Sequence, residues 1–536
     1  MAIQENRDRL MWASFLTLIA AGMGFGVRAG TLAEWSGQFG FTQGQLGTIT
    51  GGGLTGFGVV ILLASVITDR IGYKAILLGA FLLHILSVVI TLAATPVYAA
   101  AGQDAAYWCL FVGIFIFAIA NGLCEAVINP LIANIYPERK THYLNILHAG
   151  WPGGLILGGF VGLFFLGDGA RAFSLRWEIV LATYLLPAIW YGYIVLTEPF
   201  PDSDVKKAGV SFTAMLAEFA APVLLFLLVL HACVGFVELG TDSWIVNITE
   251  TFTEQGFMLF IYTSALMFIL RFFAGPIVER INPLGLLCLS TVLGTTGLLF
   301  LGSIPDSMAW LAWIAVTVYG LGKTFLWPTM LGIVGERFPK GGALTMGAIG
   351  GVGMLSAGLL GGPIIGYWQD TNRASKLAEL DQGAYERYET QEATSPYAFL
   401  PKVKGLNGAK VKIVNDEAKV LTADINKLTE QNSEVPKEMI DLKSWWDEQG
   451  LPNSATDQPN IKTAEIYGGQ RALVMTAAVP AFMFFGYLIL VLYFRSQGGY
   501  KVVELDGSGE TSETNISPSA DDAIETGEGG STSGQA

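Results

Sequence analysis

The sequence predicts an all-α membrane protein of twelve transmembrane helices arranged as two six-helix pseudo-repeats. Three observations carry that prediction. Of the 536 residues, 52% are apolar and only 14% are charged, against about 25% charged in an ordinary soluble chain, and the mean hydropathy is +0.49. Apolar runs long enough to cross hydrocarbon as helices recur twelve times. The last six runs also repeat marks of the first six, in the same order. The formal net charge of -14 excludes a nucleic-acid binder, which needs a basic surface.

The runs lie near 10–32, 45–68, 75–95, 106–135, 143–166, 177–197, 215–246, 256–278, 284–304, 310–335, 342–367 and 471–494. The first follows a polar stretch, Met1–Arg9, and no small-residue cleavage site comes cleanly after it, so it reads as a retained helix rather than a signal peptide. Lys and Arg crowd the alternate connections, at Arg7, Arg9, Arg70, Lys74, Arg139, Lys140, Lys206, Lys207, Arg280, Arg337, Lys340, Arg495 and Lys501. The short connections on the other side carry only Arg171 and Arg176. By the positive-inside bias both termini are expected in the cytoplasm, in a multi-pass protein of the cell (inner or plasma) membrane.

The expected layout follows. Residues 1–9 are a cytoplasmic N-terminus, 10–197 the first six helices, 198–214 a cytoplasmic linker and 215–369 helices 7 to 11. Residues 370–470 are an extracytoplasmic insert, 471–494 helix 12, and 495–536 an acidic cytoplasmic tail. The insert holds 17 Asp/Glu against 12 Lys/Arg, and 496–536 holds 8 acids against Lys501 alone. Those two segments carry nearly all the net charge, which leaves the lipid-facing core close to neutral. The insert has helix-compatible stretches at 374–393 and 436–449 but is too polar to span. It reads as a solvated appendage or a lid over the substrate path. From Gly507 onward Gly, Ser, Thr and acids predominate, the composition of a disordered tail. Cys109, Cys124, Cys233 and Cys288 all lie in apolar runs without metal-ligand spacing. No P-loop or dinucleotide motif is present, so no metal or cofactor is expected, and energy must come from an ion or substrate gradient.

The repeat is the most informative feature. The fourth run ends Asn129-Pro130…Glu138-Arg139 and the tenth ends Trp327-Pro328…Glu336-Arg337, an offset of 198. The second exits through Asp69-Arg70-Ile71-Gly72-Tyr73-Lys74 and the eighth through Glu279-Arg280-Ile281-Asn282, an offset of 210. Gly26…Trp35 and Gly235…Trp244 match at an offset of 209. Two parallel six-helix repeats are a transporter layout.

On these marks the chain resembles the major facilitator superfamily over 1–369 and 471–495, the Asp69–Lys74 turn resembling its signature loop between helices 2 and 3. Within it the chain is most similar to the fucose:proton symporter family. That narrower resemblance rests on Glu125-Ala-Val-Ile-Asn129-Pro130 in helix 4 and Leu144-Asn145 opening helix 5. It also rests on Gly235-Phe-Val-Glu238-Leu-Gly240-Thr-Asp-Ser-Trp244 in helix 7 and Arg271-Phe272 in helix 8. The resemblance implies a proton-coupled carrier of a polar small molecule such as a sugar, with Glu125 as the coupling acid. The family has a second acid near the outer end of helix 1, where this chain has Ala29 beside Arg28.

A charge at mid-membrane costs roughly 2.5–3.5 kcal/mol on insertion scales, so it faces a cavity or a partner. Asn121, Glu125 and Asn129 recur every fourth residue and share a helical face. Glu125 is therefore either the proton-carrying group or a structural residue locking helix 4 through a hydrogen bond or an ion pair. Lys323 stands five residues before Pro328, as Glu125 stands five before Pro130. It grips an anionic or hydroxyl-rich substrate, neutralises Glu125 or has an unrelated structural role, with Tyr319 and Trp327 on its face. Arg28 pairs with Glu125, reads a substrate carboxylate or phosphate, or snorkels to the interface. Glu238 aligns across the repeat with Ala29, which makes it the second candidate for proton coupling; Asp242, one turn on in the same helix, reads either as a companion acid or as a residue solvated in the outer loop.

His148 is a substrate donor, a proton relay or a satisfied core histidine, while His84 and His231 read as structural. Asn145 and Asn129 suit hydroxyl groups, and Trp244, Trp327 and Trp151 offer planes for the apolar face of a sugar. Asp69, Arg70 and Lys74, with Glu279 and Arg280, read as a cytoplasmic gate of charge pairs. Arg271 lies eight residues from Glu279, roughly 12 Å deeper at 1.5 Å per residue, and needs a partner; it is grouped with the gate. Two other functions fit the same helices: an organic-anion carrier using Arg28 and Lys323, or a non-transporting membrane sensor.

Overall fold

The computed structural model describes residues 2–41, 43–167, 170–430 and 435–515, and within these the chain makes twelve helical passes. Helices 1 to 6 begin with Ala2–Phe39, Gln43–Ile71 and Tyr73–Leu92, the last extended by Ala94–Ala101. They continue with Gln103–Ile135, Lys140–Phe165, and Trp177–Ala182 prolonged by Leu185–Thr197. Ten of the twelve passes are long and apolar enough to cross a membrane; helices 8 and 10 are broken in the middle. Helix 8 runs Gly256–Arg271, pauses, and resumes at Ala274. Helix 10 is Leu311–Lys323 followed by Leu326–Arg337. Both breaks fall beside an intramembrane cation, Arg271 and Lys323.

The end of helix 8 and the whole of helix 9 lie within one nearly continuous stretch, Ala274–Leu301, bent at Asn282 with φ 55° and ψ 167°. Pro283 pushes its predecessor into extended ψ, and the Asn282 side chain accepts a bond from the Gly285 N–H at 3.0 Å. Helix 7 is Pro222–Gly235 and Thr241–Glu250, joined by a π-turn at Phe236–Gly240. Helix 11 has the same defect: Gly342–Ser356, a π-turn at Ala357–Gly361, then Gly362–Leu380. The two π-turns pack against each other. A Cβ on Gly235 would collide with the Gly353 carbonyl, and one on Gly240 would lie 2.8 Å from the Gly361 Cα. Only glycine permits that backbone approach.

Within the first half, helix 1 packs on 5 and 6, and helix 4 on 2 and 3; within the second, helix 9 packs on 10 and 12, and helix 7 on 11. The halves meet where helix 2 lies on helix 11 and where helix 5 lies on helices 8 and 10. Large apolar side chains such as Leu63, Leu186, Trp190 and Phe485 are exposed on the outside of the bundle, the surface a lipid-facing protein needs. The end that carries the Arg70, Arg139 and Arg337 connections is called the basic face below.

Two segments border helix 12. The insert, expected as a solvated appendage or a lid with helix-compatible stretches, is not disordered. It is a small helical domain whose core includes Leu377, Tyr388, Leu406, Val414, Trp446 and Ile461. It grows out of helix 11, which continues to Leu380, and returns through Leu451–Thr476, which leads into Ala478–Ser496 of helix 12. Its buried Asp457 is clamped by Arg387 through two bonds of 2.9 and 2.5 Å. The tail is likewise not disordered from Gly507. Strand Lys501–Leu505 pairs antiparallel with Thr511–Asn515, with Asp506 oxygens holding the turn through Ser508 and Glu510 N–H groups. The rest of the expected disordered tail, 516–536, lies outside the described residues.

Candidate functional site

At mid-depth between the halves lies a cavity lined by Glu125, His148, Trp151, Glu238, Arg271 and Trp327, with Leu239 and Met354 completing the wall. Its volume is about 20 Å³, room for about one water molecule. The chain is therefore closed around its centre.

Helix 4 supplies Glu125. Its Oε2 accepts from Asn129 Nδ2 at 2.7 Å, and the same amide nitrogen donates to the Glu125 carbonyl at 3.1 Å. Asn129 Oδ1 in turn accepts from His148 Nε2 at 2.9 Å. An amide oxygen can only accept, so His148 carries its proton on Nε2. The chain His148–Asn129–Glu125 orients the carboxyl but does not relay protons, because the amide between them does not exchange its proton for another. Among the described residues no cation lies within ion-pair distance of Glu125.

The opposite wall is electrically balanced. Arg271 from helix 8 spends its guanidinium three ways: Nη2 to Glu238 Oε1 at 2.9 Å, Nε to the Thr324 carbonyl at 2.8 Å, and Nη1 to the His148 carbonyl at 2.6 Å. The last bond crosses between the halves. Both breaks in the helices matter here, since the Thr324 carbonyl that Arg271 uses sits in the interruption of helix 10. Glu238 lies in the π-turn of helix 7, and its Oε2 is buried without a hydrogen-bond partner. Lys323 pairs with Asp242 at 2.5 Å, so it neither neutralises Glu125 nor faces it. Tyr319 donates to the Val237 carbonyl at 2.7 Å, and Trp244 donates to the Gly362 carbonyl at 2.8 Å. Those two brace helix 7 and do not line the cavity. Trp327 does line it, with His231 packed behind at a ring separation of 4.6 Å.

Several predicted residues are elsewhere. Arg28 is buried inside the first half, over the Phe117 ring at 3.8 Å and bonded to the Gly24 carbonyl at 3.1 Å. It reaches neither Glu125 nor the cavity. Asn121 turns toward helix 3, where its Oδ1 accepts from His84 at 3.1 Å. Asn145 sits below the cavity and reaches Thr329 of helix 10 at 3.3 Å. Arg271, grouped with the gate in the sequence, is instead the central cation of the site. Asp242 and Thr324 are participants the sequence did not single out as site residues. The spacing of Asp242 from Glu238 was visible, but its pairing to a lysine 81 residues away was not.

The gate residues lie at the basic face and divide by role. Glu279 pairs across the halves with Arg139 at 2.6 Å, and Asp69 accepts from the Ala343 N–H of helix 11 at 3.0 Å. His142 accepts from the Gly275 N–H at 3.1 Å, another bond across the halves. Lys74 stays within its own half, bonding the Leu196 and Glu198 carbonyls at 3.2 and 3.0 Å. Arg70 lies over the Phe212 ring of the linker at 5.0 Å, and Arg280 is exposed.

Comparison with known proteins decides the family. The family model described as "Major Facilitator Superfamily" matches residues 14–362. This chain belongs to the major facilitator superfamily. It is thus a multi-pass membrane protein with a transporter fold, as the sequence led us to expect. No curated protein matches it in sequence. Among solved structures, the fucose:proton symporter FucP of E. coli, in an outward conformation, shares 18% identity at a TM-score of 0.53, over 68% of this chain and 92% of that one. The proton:xylose symporter XylE of E. coli, bound to 6-bromo-6-deoxy-D-glucose, shares 15% at 0.55, over 70% and 90%. The human organic anion transporter MFSD10 (TETRAN) shares 13% at 0.54, over 90% and 99%. At such identities the likeness is one of fold.

Proposed function

We propose that the protein is a secondary carrier that moves a neutral, hydroxyl-rich small molecule, a sugar or its like, together with protons by alternating access. The observation that carries this reading is the inventory of the central cavity. Arg271 is matched by Glu238 and the neighbouring Lys323 by Asp242, so among the described residues at the cavity no cation is left over for an anionic cargo. What is left over is acceptor capacity: Glu238 Oε2 without a donor, and Glu125 held only by an amide. Cargo hydroxyls donate to such oxygens, and an anion is repelled by them. Trp151 and Trp327 supply the flat walls against which the apolar face of a sugar ring packs.

Glu125 is the coupling group in this reading. A carboxylate without a cation at mid-membrane is costly, and a proton removes the cost. Protonated, the site is neutral enough to close and cross; opened to water on the other side, it releases the proton and cargo. Glu238, held by Arg271, is the weaker candidate for that role and serves the cargo. The basic face is the cytoplasmic one under the positive-inside bias, which puts the insert outside.

The test is uptake into liposomes containing the purified protein, under an imposed pH gradient, with a panel of labelled sugars and organic acids. Gradient-driven sugar uptake is expected, and Glu125→Gln is expected to abolish it while leaving exchange of cargo across the membrane. Driven uptake that survives Glu125→Gln removes Glu125 from the coupling role. Preference for organic acids would instead favour the anion reading suggested by Arg28 and Lys323, and a chain that moves no solute under any gradient would be the sensor.

A further inference from the structure

The basic face is closed by more than the two halves. At the end of helix 10 the Glu336 carboxylate accepts from the Thr141 hydroxyl of helix 5 through Oε1 at 2.5 Å and from the Tyr500 phenol through Oε2 at 2.7 Å. One carboxylate thus ties the first half, the second half and the tail together. Burial raises the Tyr500 phenol well above its ordinary pKa, so it stays a donor. Next to it Arg337 donates to the Lys501 carbonyl at 2.8 Å and pairs with Glu513 of the second strand at 3.2 Å. Leu505 of the first strand packs into a cluster with Val205 and Met215 of the linker and Leu344 of helix 11.

Beneath the hairpin is a cavity of about 180 Å³. Tyr73 and Lys140 from the first half form one wall, Phe338 and Met346 from the second form another, and Glu504 and Leu505 of the hairpin close it. If the halves part on this face, the first two walls separate and the hairpin loses one of its supports. We propose that the C-terminal hairpin is a strap that holds the basic face shut and must lift before the carrier opens there. The hairpin carries Glu504, Asp506, Glu510 and Glu513, while the face beneath carries Lys140, Arg337 and Lys340. The Arg337–Glu513 pair is half open to solvent on the acidic side, so salt weakens it. Ionic strength is then a control on the strap. The inference rests on membership of the superfamily and not on the role given to Glu125, and its test needs no cargo.

The experiment places nitroxide labels at Ile71→Cys and Arg280→Cys, exposed positions on the basic ends of opposite halves, with the four native cysteines replaced by alanine. Pulsed electron resonance in lipid nanodiscs then reads the distance between the halves. The full chain is expected to show the short distance in about 0.01 M salt and to shift toward longer distances in about 1 M salt, where the Debye length falls from about 30 Å to about 3 Å. Tyr500→Phe removes one hydrogen bond to a carboxylate and is expected to raise the open-to-shut ratio about tenfold. Deletion of 498–536 is expected to go further and to leave only the smaller salt response of the Arg139–Glu279 pair. Glu513→Gln should blunt the salt response without the deletion, which keeps the test decisive if the truncated chain aggregates. Distances unchanged in both point variants, in chains that remain monodisperse, overturn the strap.

Discussion

Helix 4 and helix 10 occupy equivalent places in the two halves, and each carries one ionisable residue five positions before a proline. On helix 4 it is Glu125, bonded only to a neutral amide. On helix 10 it is Lys323, joined to Asp242 on helix 7, with the Arg271–Glu238 pair close by. Among the described residues, the first half thus presents to the cavity a carboxyl without a counter-ion, and the second presents charges that cancel. Fold symmetry does not impose chemical symmetry. The repeat places a polar group at the same depth in both halves, and the neighbours decide whether it is available for work or locked in structure.

The contrast can be broken most sharply at Glu125. Glu125→Gln keeps the bond to Asn129 but cannot exchange a proton, and gradient-driven uptake is expected to fall to background while exchange persists. Next in size is Lys323→Ala. It strands Asp242, which is mostly buried, and breaking such a pair costs about 3–5 kcal/mol, visible as a lower unfolding temperature of the purified protein. Lys323→Ala with Asp242→Asn should recover most of that loss; if the single variant melts like the parent, the pair is not structural.

Glu238→Gln is comparable in size. It keeps a hydrogen bond to Arg271 but removes the countercharge of a buried guanidinium, a loss of up to about 3–5 kcal/mol, and is expected to lower the unfolding temperature and raise the KM for cargo with little change in driven-to-exchange ratio. An equal loss of both driven uptake and exchange would instead mark Glu238 as essential to the closed state. The smallest effect belongs to the partly exposed gate pair: Arg139→Gln should cost below about 1 kcal/mol, and that cost should vanish in high salt.

The fold was legible because membrane spans announce themselves by composition, and because the Asn129-Pro130 and Trp327-Pro328 strings mark register across the repeat. The breaks in helices 8 and 10 have a local mark, since Pro276 and Pro328 leave the Phe272 and Thr324 carbonyls without an N–H four residues on. The paired π-turns were not legible, because they are fixed by what each helix meets, as when Gly235 accommodates the Gly353 carbonyl. Glu125, His148 and Trp327, candidates from depth, spacing and the family resemblance, all line the central cavity. Arg28 was misplaced because spacing gives depth but not the direction in which a side chain leaves its helix, and here it leaves toward Phe117. Arg271 was known to need a partner, but Glu238 became that partner only through the packing of helix 7 on helix 8. The insert's core was hidden for a similar reason: its apolar residues are scattered among charges and converge only when Leu377, Trp446 and Ile461 fold together.

The insert stands on two helices that both belong to the second half. Helix 11 runs unbroken into it, helix 12 begins inside it, and Gln470 ties the base to the Ile304 carbonyl at 2.6 Å. From Gly469 to Leu451 the returning helix rises roughly 27 Å at 1.5 Å per residue. That makes the insert a lever arm fixed to one side of a hinge. A tilt of about 10° in the second half becomes a sweep of roughly 5 Å at the tip of that arm, and anything that grips the tip applies torque to that half from a distance.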